Sequence, residues 1–304
     1  MYDIIIVGGG PAGLTAALYA LRAGKTVLII EKNTFGGQIT WSPRVENFPT
    51  IPSISGTELA DRLLAQVLFQ GADTELDEVI SAEKDGDVFR VRTEFDGEFY
   101  SRALIIAAGA RPMPLGIDRE EELTGNGVCY CAVCDGAFYK GREVAVVGGG
   151  NSALQDALLL SETCRAVHII HRRASFKGEA RLVEALRKKD NVTFDMLCAV
   201  TELHGETELT GVSVVYKEGS EGFIAVDGLF VAAGHAPELG VFSKLIGLDG
   251  RGCADSGEDC LTKTPGVFVA GDCRRKTVRQ LTTAVGDGAT AALAACSYLD
   301  RISE

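Results

Sequence analysis

No apolar run in this sequence is long enough to cross a membrane: the longest is roughly six or seven residues, against the ~18 a spanning helix requires. A positive surplus is missing too, since 30 lysines and arginines face 42 aspartates and glutamates, a net charge of −12. Nucleic acid and anionic membranes reward net positive surfaces, so neither is expected as the main partner. Met1–Val7 has no basic segment leading into a hydrophobic core and cleavage site, and reads as a first strand instead of a secretion signal. Low-complexity segments and long charge runs are absent. With 46% apolar and 24% charged residues, the composition excludes a mostly disordered chain. The nine cysteines are odd in number, in a chain too large to depend on disulfide staples. A reducing, cytoplasmic setting follows, with most thiols serving as small core residues. What is abundant is glycine, 36 in 304 residues, the residue that permits close backbone approach to a ligand or another strand. The length suits two domains.

One unit occurs twice. The apolar run Ile4–Val7 leads into Gly8-Gly9-Gly10-Pro11-Ala12-Gly13. A helical pattern follows (Leu14, Ala17, Leu18, Leu21), then a second apolar run, Val27–Ile30, closed by Glu31 and Lys32. Strand, glycine turn, helix, strand and acid form a dinucleotide-binding fingerprint. Gly8 permits the tight turn, Gly10 lets backbone approach a pyrophosphate, and Gly13 lets helix and strand pack closely. The helix N-terminus at Pro11 and Ala12 stabilises phosphate charge, and Glu31 can accept from both ribose hydroxyls of an adenosine. At an offset of 140 residues, Val144–Val147 leads into Gly148-Gly149-Gly150-Asn151-Ser152-Ala153, another helical pattern, and the strand Val167–Ile170. Where the first copy has Glu31, the second has His171-Arg172-Arg173, with Lys177 beyond.

That exchange carries chemistry. A carboxylate there prefers a free 2′-hydroxyl, whereas a cationic cluster stabilises a 2′-phosphate. The first site is therefore expected to take FAD and the second NADPH. The strand Ala103–Ala107 runs into Ala108-Gly109-Ala110-Arg111-Pro112, and Leu229–Ala232 into Ala233-Gly234-His235-Ala236-Pro237. Reading both prolines as domain links gives an α/β protein with two Rossmann-like dinucleotide-binding domains, the second inserted in the first. The FAD-binding domain is expected over residues 1–111 plus 241–304, and the NADPH-binding domain over 115–240. Antiparallel β additions are expected around Val88–Thr93 in the first domain and Val192–Val215 in the second.

Cys131-Ala132-Val133-Cys134 is the one close C-x-x-C pair, preceded by Cys129 and followed by Asp135-Gly136. On a helix, i and i+3 cysteines approach disulfide range, and thiolates are favoured near unpaired backbone N–H groups. A metal site is the rival, but tetrahedral zinc usually takes four ligands as paired knuckles, and no second C-x-x-C or H-x(3–5)-H exists. No metal is expected. A flavin, a nicotinamide pocket and a dithiol on one chain imply electron flow from NADPH through flavin to a disulfide.

These motifs, with Gly36-Gly37-Gln38, Val45-Glu46-Asn47-Phe48-Pro49, Gly271-Asp272-Cys273-Arg274 and Val278–Ala284, make the chain resemble the bacterial-type, low-molecular-weight thioredoxin reductases over essentially its whole length. The resemblance implies that Gly37, Gln38 and Asn47 line the flavin, that Asp272 meets its ribityl chain, and that Gly109 and Gly271 are also cofactor-binding. Arg279, Gln280 and Leu281 would surround the pyrimidine end of the ring. It implies that Cys134 faces the flavin, that Cys131 attacks the disulfide of thioredoxin or a thioredoxin-like protein, and that Asp135 is the general acid/base, which needs a pKa raised by burial. It also implies a homodimer and an inserted domain that turns between two positions. The sequence departs from the usual H-R-R-D-x-F-R stretch: Ala174 replaces the acid, and Lys177 keeps the charge without the guanidinium fork. Two other reductases share the motifs. One serves peroxiredoxin and usually carries an extra N-terminal domain, which is not expected ahead of Ile4. The other takes electrons from ferredoxin or reduced flavin and lacks the Arg172–Arg173 cluster. A non-enzymatic flavin-bearing sensor whose C-x-x-C holds metal is a further class.

Overall fold

Ile4, Ile5 and Ile6 are all fully buried, which is why the opening segment is a continuous β-branched run and not an alternating one. A strand between parallel neighbours, covered on both faces, hides every side chain. The structure, a computed structural model describing residues 1–42, 44–95 and 97–302, makes this segment β1 (Tyr2–Val7). Then come α1 (Pro11–Arg22), β2 (Val27–Glu31), α2 (Gly56–Phe69), β3 (Asp73–Leu76), β4 (Val79–Asp85), β5 (Val88–Thr93) and β6 (Glu98–Ile106). The sheet runs β3-β2-β1-β6-β5-β4. Its β3, β2, β1 and β6 are mutually parallel, while β4, β5 and β6 form the expected antiparallel addition. Pro11 at the first turn of α1 supplies a preset φ where no N–H is needed.

After β7 (Arg111–Pro112) the chain builds β8 (Val128–Cys129), α3 (Ala132–Asp135), β9 (Glu143–Val147), α4 (Asn151–Ser161), β10 (Ala166–His171), α5 (Ala180–Arg187) and β11 (Val192–Met196). Next are β12 (Cys198–His204), β13 (Gly211–Tyr216), β14 (Glu221–Ile224), β15 (Gly228–Val231) and β16 (His235–Ala236). A parallel sheet runs β11-β10-β9-β15-β8, and β12-β13-β14 form a separate antiparallel sheet. The expected antiparallel region was Val192–Val215, but Val192–Met196 pairs in parallel with β10. The reason is the register: Val192 and Phe194 turn toward the core shared with α4, extending the parallel sheet by one strand. The chain then returns to the first sheet, where β17 (Val267–Val269) pairs in parallel with β6, and ends in α6 (Leu281–Arg301).

Two compact units result, Met1–Arg111 with Ala236–Glu304, and Pro112–His235. The joints fall a few residues before 115 and 240. In the first unit, Ile4, Ile6 and Ile105 face the alanines of α1 and α6, while Ile5, Val7 and Leu104 face Phe89, Leu239 and Phe242. The α1–α6 contact is built from small residues: a Cβ on Gly288 would lie 2.2 Å from the carbonyl oxygen of Ala12. In the second unit, Val144, Val146 and Ile169 pack on α4, and Ala145, Ile170 and Leu229 pack on the antiparallel sheet.

Candidate active site

In the first unit the glycine turn has no room for side chains where the fold itself closes. A Cβ at Gly8 (φ +107°) would sit 2.3 Å from the Ala107 carbonyl oxygen, and one at Gly13 only 1.9 Å from the Gly8 carbonyl oxygen. At Gly10 the nearest atom is 3.9 Å away, so that position is open on the side from which a ligand would approach. The buried carboxylate of Glu31 accepts from the Gly9 N–H at 2.7 Å and the Asn33 N–H at 2.9 Å, which braces the turn and fixes the acid at the end of β2. The Lys32 ammonium pairs with Glu238 and, at 3.6 Å, with Glu78.

The other expected residues of this unit converge. Gly37 lies beside Gly10, and Gly271 beside Ala12. The Gln38 amide donates to the Ala110 carbonyl at 2.6 Å, next to Gly109. The Asn47 amide donates to Gln280 at 3.3 Å, and Gln280 caps α6 through a reciprocal bond with Thr283, just ahead of Leu281. Arg279 donates to the carbonyl of Asp272 at 3.2 Å. Asp272 itself keeps Oδ1 buried without a partner among the described residues. Burial pushes its carboxyl up, against the opposing pull of Lys276 and Arg279. A buried acceptor without a donor is costly, so this oxygen suits a hydroxyl-bearing ligand. With the open face at Gly10 it makes the set fit an adenine dinucleotide such as FAD.

Sequence reasoning missed Asp287. Its buried carboxylate takes both arms of the Arg274 fork at 2.8 Å, the Lys276 ammonium at 2.8 Å and the Gly271 N–H at 3.0 Å. Burial alone would raise this carboxyl, but the Arg274 and Lys276 bonds hold it below its ordinary value. It therefore anchors the loop carrying Asp272 to α6. An acid flanked by Gly286 and Gly288, in the small-residue stretch of the helix, was the available signal.

In the second unit Gly148 (φ +154°) closes against Ala153 and Ala232, and Gly150 meets nothing within 4 Å. His171 differs from expectation. It is buried, its ring stacks on Phe176 with centroids 5.2 Å apart, and a Cβ on Gly149 would strike it at 2.2 Å. Burial, with Arg173 and Arg172 nearby, holds its pKa down. The ring is thus neutral near pH 7 and supports the turn, as Glu31 does in the first copy, without adding to the cationic cluster. That leaves Arg172, Arg173 and Lys177, all exposed and without an ion pair among the described residues. Ser152 stands exposed in the first turn of α4, and Asn151 bonds to Glu179.

Cys131 and Cys134 form a disulfide, with Cα atoms 5.3 Å apart, across the short helix α3. The Cys134 N–H donates to the Cys131 sulfur at 3.2 Å. That bond favours negative charge on Cys131 once the pair is reduced. Burial pushes the Asp135 carboxyl up to about 6. Cys129 is buried and shares a hydrogen bond with the Tyr139 hydroxyl at 3.4 Å. Burial, then the nearby Asp135, push its thiol up to about 12, so it is protonated and inert at neutral pH. The other six cysteines are free and buried. Among the described residues, no three His, Cys, Asp or Glu are grouped to share a metal ion, and no helix is long and apolar enough to cross a membrane.

Residues 2–288 match the family model described as pyridine nucleotide-disulphide oxidoreductase. The chain is 40% identical to the thioredoxin reductase of Listeria monocytogenes, over all of this chain and 96% of the relative. It is 39% identical to that of Bacillus subtilis, with the same coverage. The crystal structure of thioredoxin reductase from Streptococcus pyogenes superposes with a TM-score of 0.92 at 37% identity, covering 99% of each chain.

Proposed function

Because the chain belongs to the pyridine nucleotide-disulphide oxidoreductase family, and within it to the thioredoxin reductases, we propose that it uses FAD and NADPH to reduce the disulfide of thioredoxin or a thioredoxin-like protein. The observation that carries this reading is the half-buried Cys131–Cys134 disulfide with the raised carboxyl of Asp135 next in sequence. Both lie in the unit that bears the cation-rimmed glycine turn.

Gly8, Gly10, Pro11, Ala12, Gly13 and Glu31 would hold the adenosine diphosphate half of FAD. Gly37, Gln38, Asn47, Gly109, Gly271, Asp272, Arg279, Gln280 and Leu281 would hold the rest. Gly148, Gly150, Asn151, Ser152 and Ala153 would take the pyrophosphate of NADPH, with Arg172, Arg173 and Lys177 for its 2′-phosphate. Bound flavin supplies a two-electron relay between nicotinamide and disulfide.

The protein's own chemistry then balances. Two electrons open the Cys131–Cys134 bond to a thiol and a thiolate, with the negative charge best placed on Cys131 by the Cys134 N–H. Cys131 attacks one sulfur of the partner's disulfide and forms a mixed disulfide, and the departing partner sulfur takes a proton from Asp135. Cys134 then gives up its thiol proton and displaces the second partner sulfur, which takes that proton; the Cys131–Cys134 bond is restored and a dithiol is released. Asp135 is suited to the proton step because burial brings its pKa near the working range. The family resemblance also supports a homodimer and a cytoplasmic setting.

Anaerobic titration tests the reading: NADPH should bleach the flavin, and oxidised thioredoxin should restore its colour. A colourless protein that binds no flavin, or a reduced flavin indifferent to thioredoxin, would refute it.

A further inference from the structure

The loop between β10 and α5 carries every free cation of the second nucleotide site, and it is fastened at both ends. At its start, His171 lies under Gly149 and bonds to the Ser175 carbonyl at 3.1 Å. Farther on, the N–H groups of Lys177 and Gly178 both donate to the Gly149 carbonyl, at 2.8 and 3.1 Å. At its end is a reciprocal pair: the Glu179 N–H donates to Asn151 Oδ1 at 2.7 Å, and Asn151 Nδ2 donates to Glu179 Oε1 at 3.0 Å. The other carboxylate oxygen of Glu179 takes the Arg181 guanidinium at 2.5 Å. Both oxygens are thereby occupied, and Lys177, two residues away, has no ion pair among the described residues.

We propose that Glu179 is a positioning residue for nucleotide choice. Through its reciprocal bonds with Asn151 it ties the cation-bearing loop to the first turn of α4, and so presets Lys177 for a 2′-phosphate. The first nucleotide site has a corresponding tie, the Gly36 N–H donating to the Gly9 carbonyl at 2.8 Å, while the Glu31 carboxylate takes the Gly9 and Asn33 N–H groups. The physical basis is preorganisation. Lys177 is a flexible four-carbon arm without a fork, so its contribution depends on where its backbone is held. A loop ordered before binding spares that ordering cost when the ligand arrives.

This inference rests on the proposed use of NADPH and deepens it. The test is steady-state kinetics of the flavin-loaded enzyme with NADPH and with NADH, for the wild type, Glu179→Ala, Glu179→Gln, Lys177→Ala and the double variant Lys177→Ala/Glu179→Ala. Glu179→Ala keeps the backbone N–H bond to Asn151 but removes the Oε1 acceptor, and should raise the KM for NADPH roughly 3- to 10-fold, the worth of one ordinary hydrogen bond. The KM for NADH and both kcat values should stay within about twofold, since the latch engages only the Asn151 side chain, whereas Asn151 would meet the pyrophosphate common to both nucleotides through its backbone N–H at the first turn of α4. Glu179→Gln keeps the Oε1 acceptor and should stay near wild type. The double variant should be no worse than Lys177→Ala, because the latch works through that lysine. Equal loss for both nucleotides, unchanged NADPH preference in Glu179→Ala, a Gln variant as poor as the Ala variant, or multiplying losses in the double variant would each overturn the proposal. A wild type that oxidises neither nucleotide would overturn the functional reading itself, and a wild type that prefers NADPH while Glu179→Ala keeps that preference overturns only the latch.

Discussion

Replacing Asp135 by asparagine should move activity and stability in opposite directions. The Asp135 carboxyl is pushed by burial from its ordinary value up to about 6. At pH 7 roughly a tenth of it is then protonated, against less than a thousandth for an unperturbed aspartate of pKa ~3.9. That is about a hundredfold more acid available to the departing sulfur. Removing it should slow reoxidation of the reduced dithiol by thioredoxin about 10²-fold or more, the usual worth of a general acid. Stability follows from linkage. The folded protein holds this proton more tightly than the unfolded chain, so the wild type loses stability as pH rises from about 4 to about 6 and is level above that. The whole loss is up to about 3 kcal/mol at 1.36 kcal/mol per tenfold change in proton affinity. An asparagine side chain carries no such charge, so the Asp135→Asn variant should be the more stable protein at pH 8 and no more stable than wild type at pH 4. Stopped-flow reoxidation and urea unfolding at the two pH values measure both effects. A variant within threefold of wild-type rate, or one equally destabilised at pH 4 and pH 8, refutes the assignment of a buried, proton-donating carboxyl.

Four further outcomes follow from the geometry. Cys134→Ser should trap a mixed disulfide between Cys131 and thioredoxin, seen as a reducible band on a gel, whereas Cys131→Ser should trap none. Asp287→Asn strips Arg274 and Lys276 of their shared buried carboxylate and should cost roughly 3 kcal/mol in urea unfolding, with faster loss of flavin on dilution measured by fluorescence. Gly13→Ala drives a Cβ to 1.9 Å from backbone and should yield little folded protein on expression. Gly150→Ala meets no protein atom within 4 Å and has an ordinary φ of −91°, so its melting temperature should match wild type while its KM for NADPH rises about tenfold.

What the sequence by itself determined was whatever is written locally and twice: the apolar run, the glycine turn, the helix and the closing residue at a spacing of 23, repeated after 140 residues. Close-range sterics dictate these features, so Gly8, Gly13 and Gly148 could be assigned before any neighbour was known. The C-x-x-C pair was legible for the same reason, since one helical turn brings its sulfurs together. Val192–Met196 was not, because whether a short apolar segment joins a parallel sheet or starts a hairpin depends on which strand lies beside it. Only the tertiary structure decided the states of the charged groups. His171 looked like a third cation and is a neutral prop beneath Gly149. Asp135 needed burial to serve as an acid, and its packing pushes the carboxyl up to about 6. Asp287, on which the local motifs say nothing, anchors the loop that presents Asp272. Charge states depend on burial and on partners far along the chain, such as Arg274 for Asp287 and Glu179 for Asn151, and burial is a property of the packed molecule, which no local spacing records.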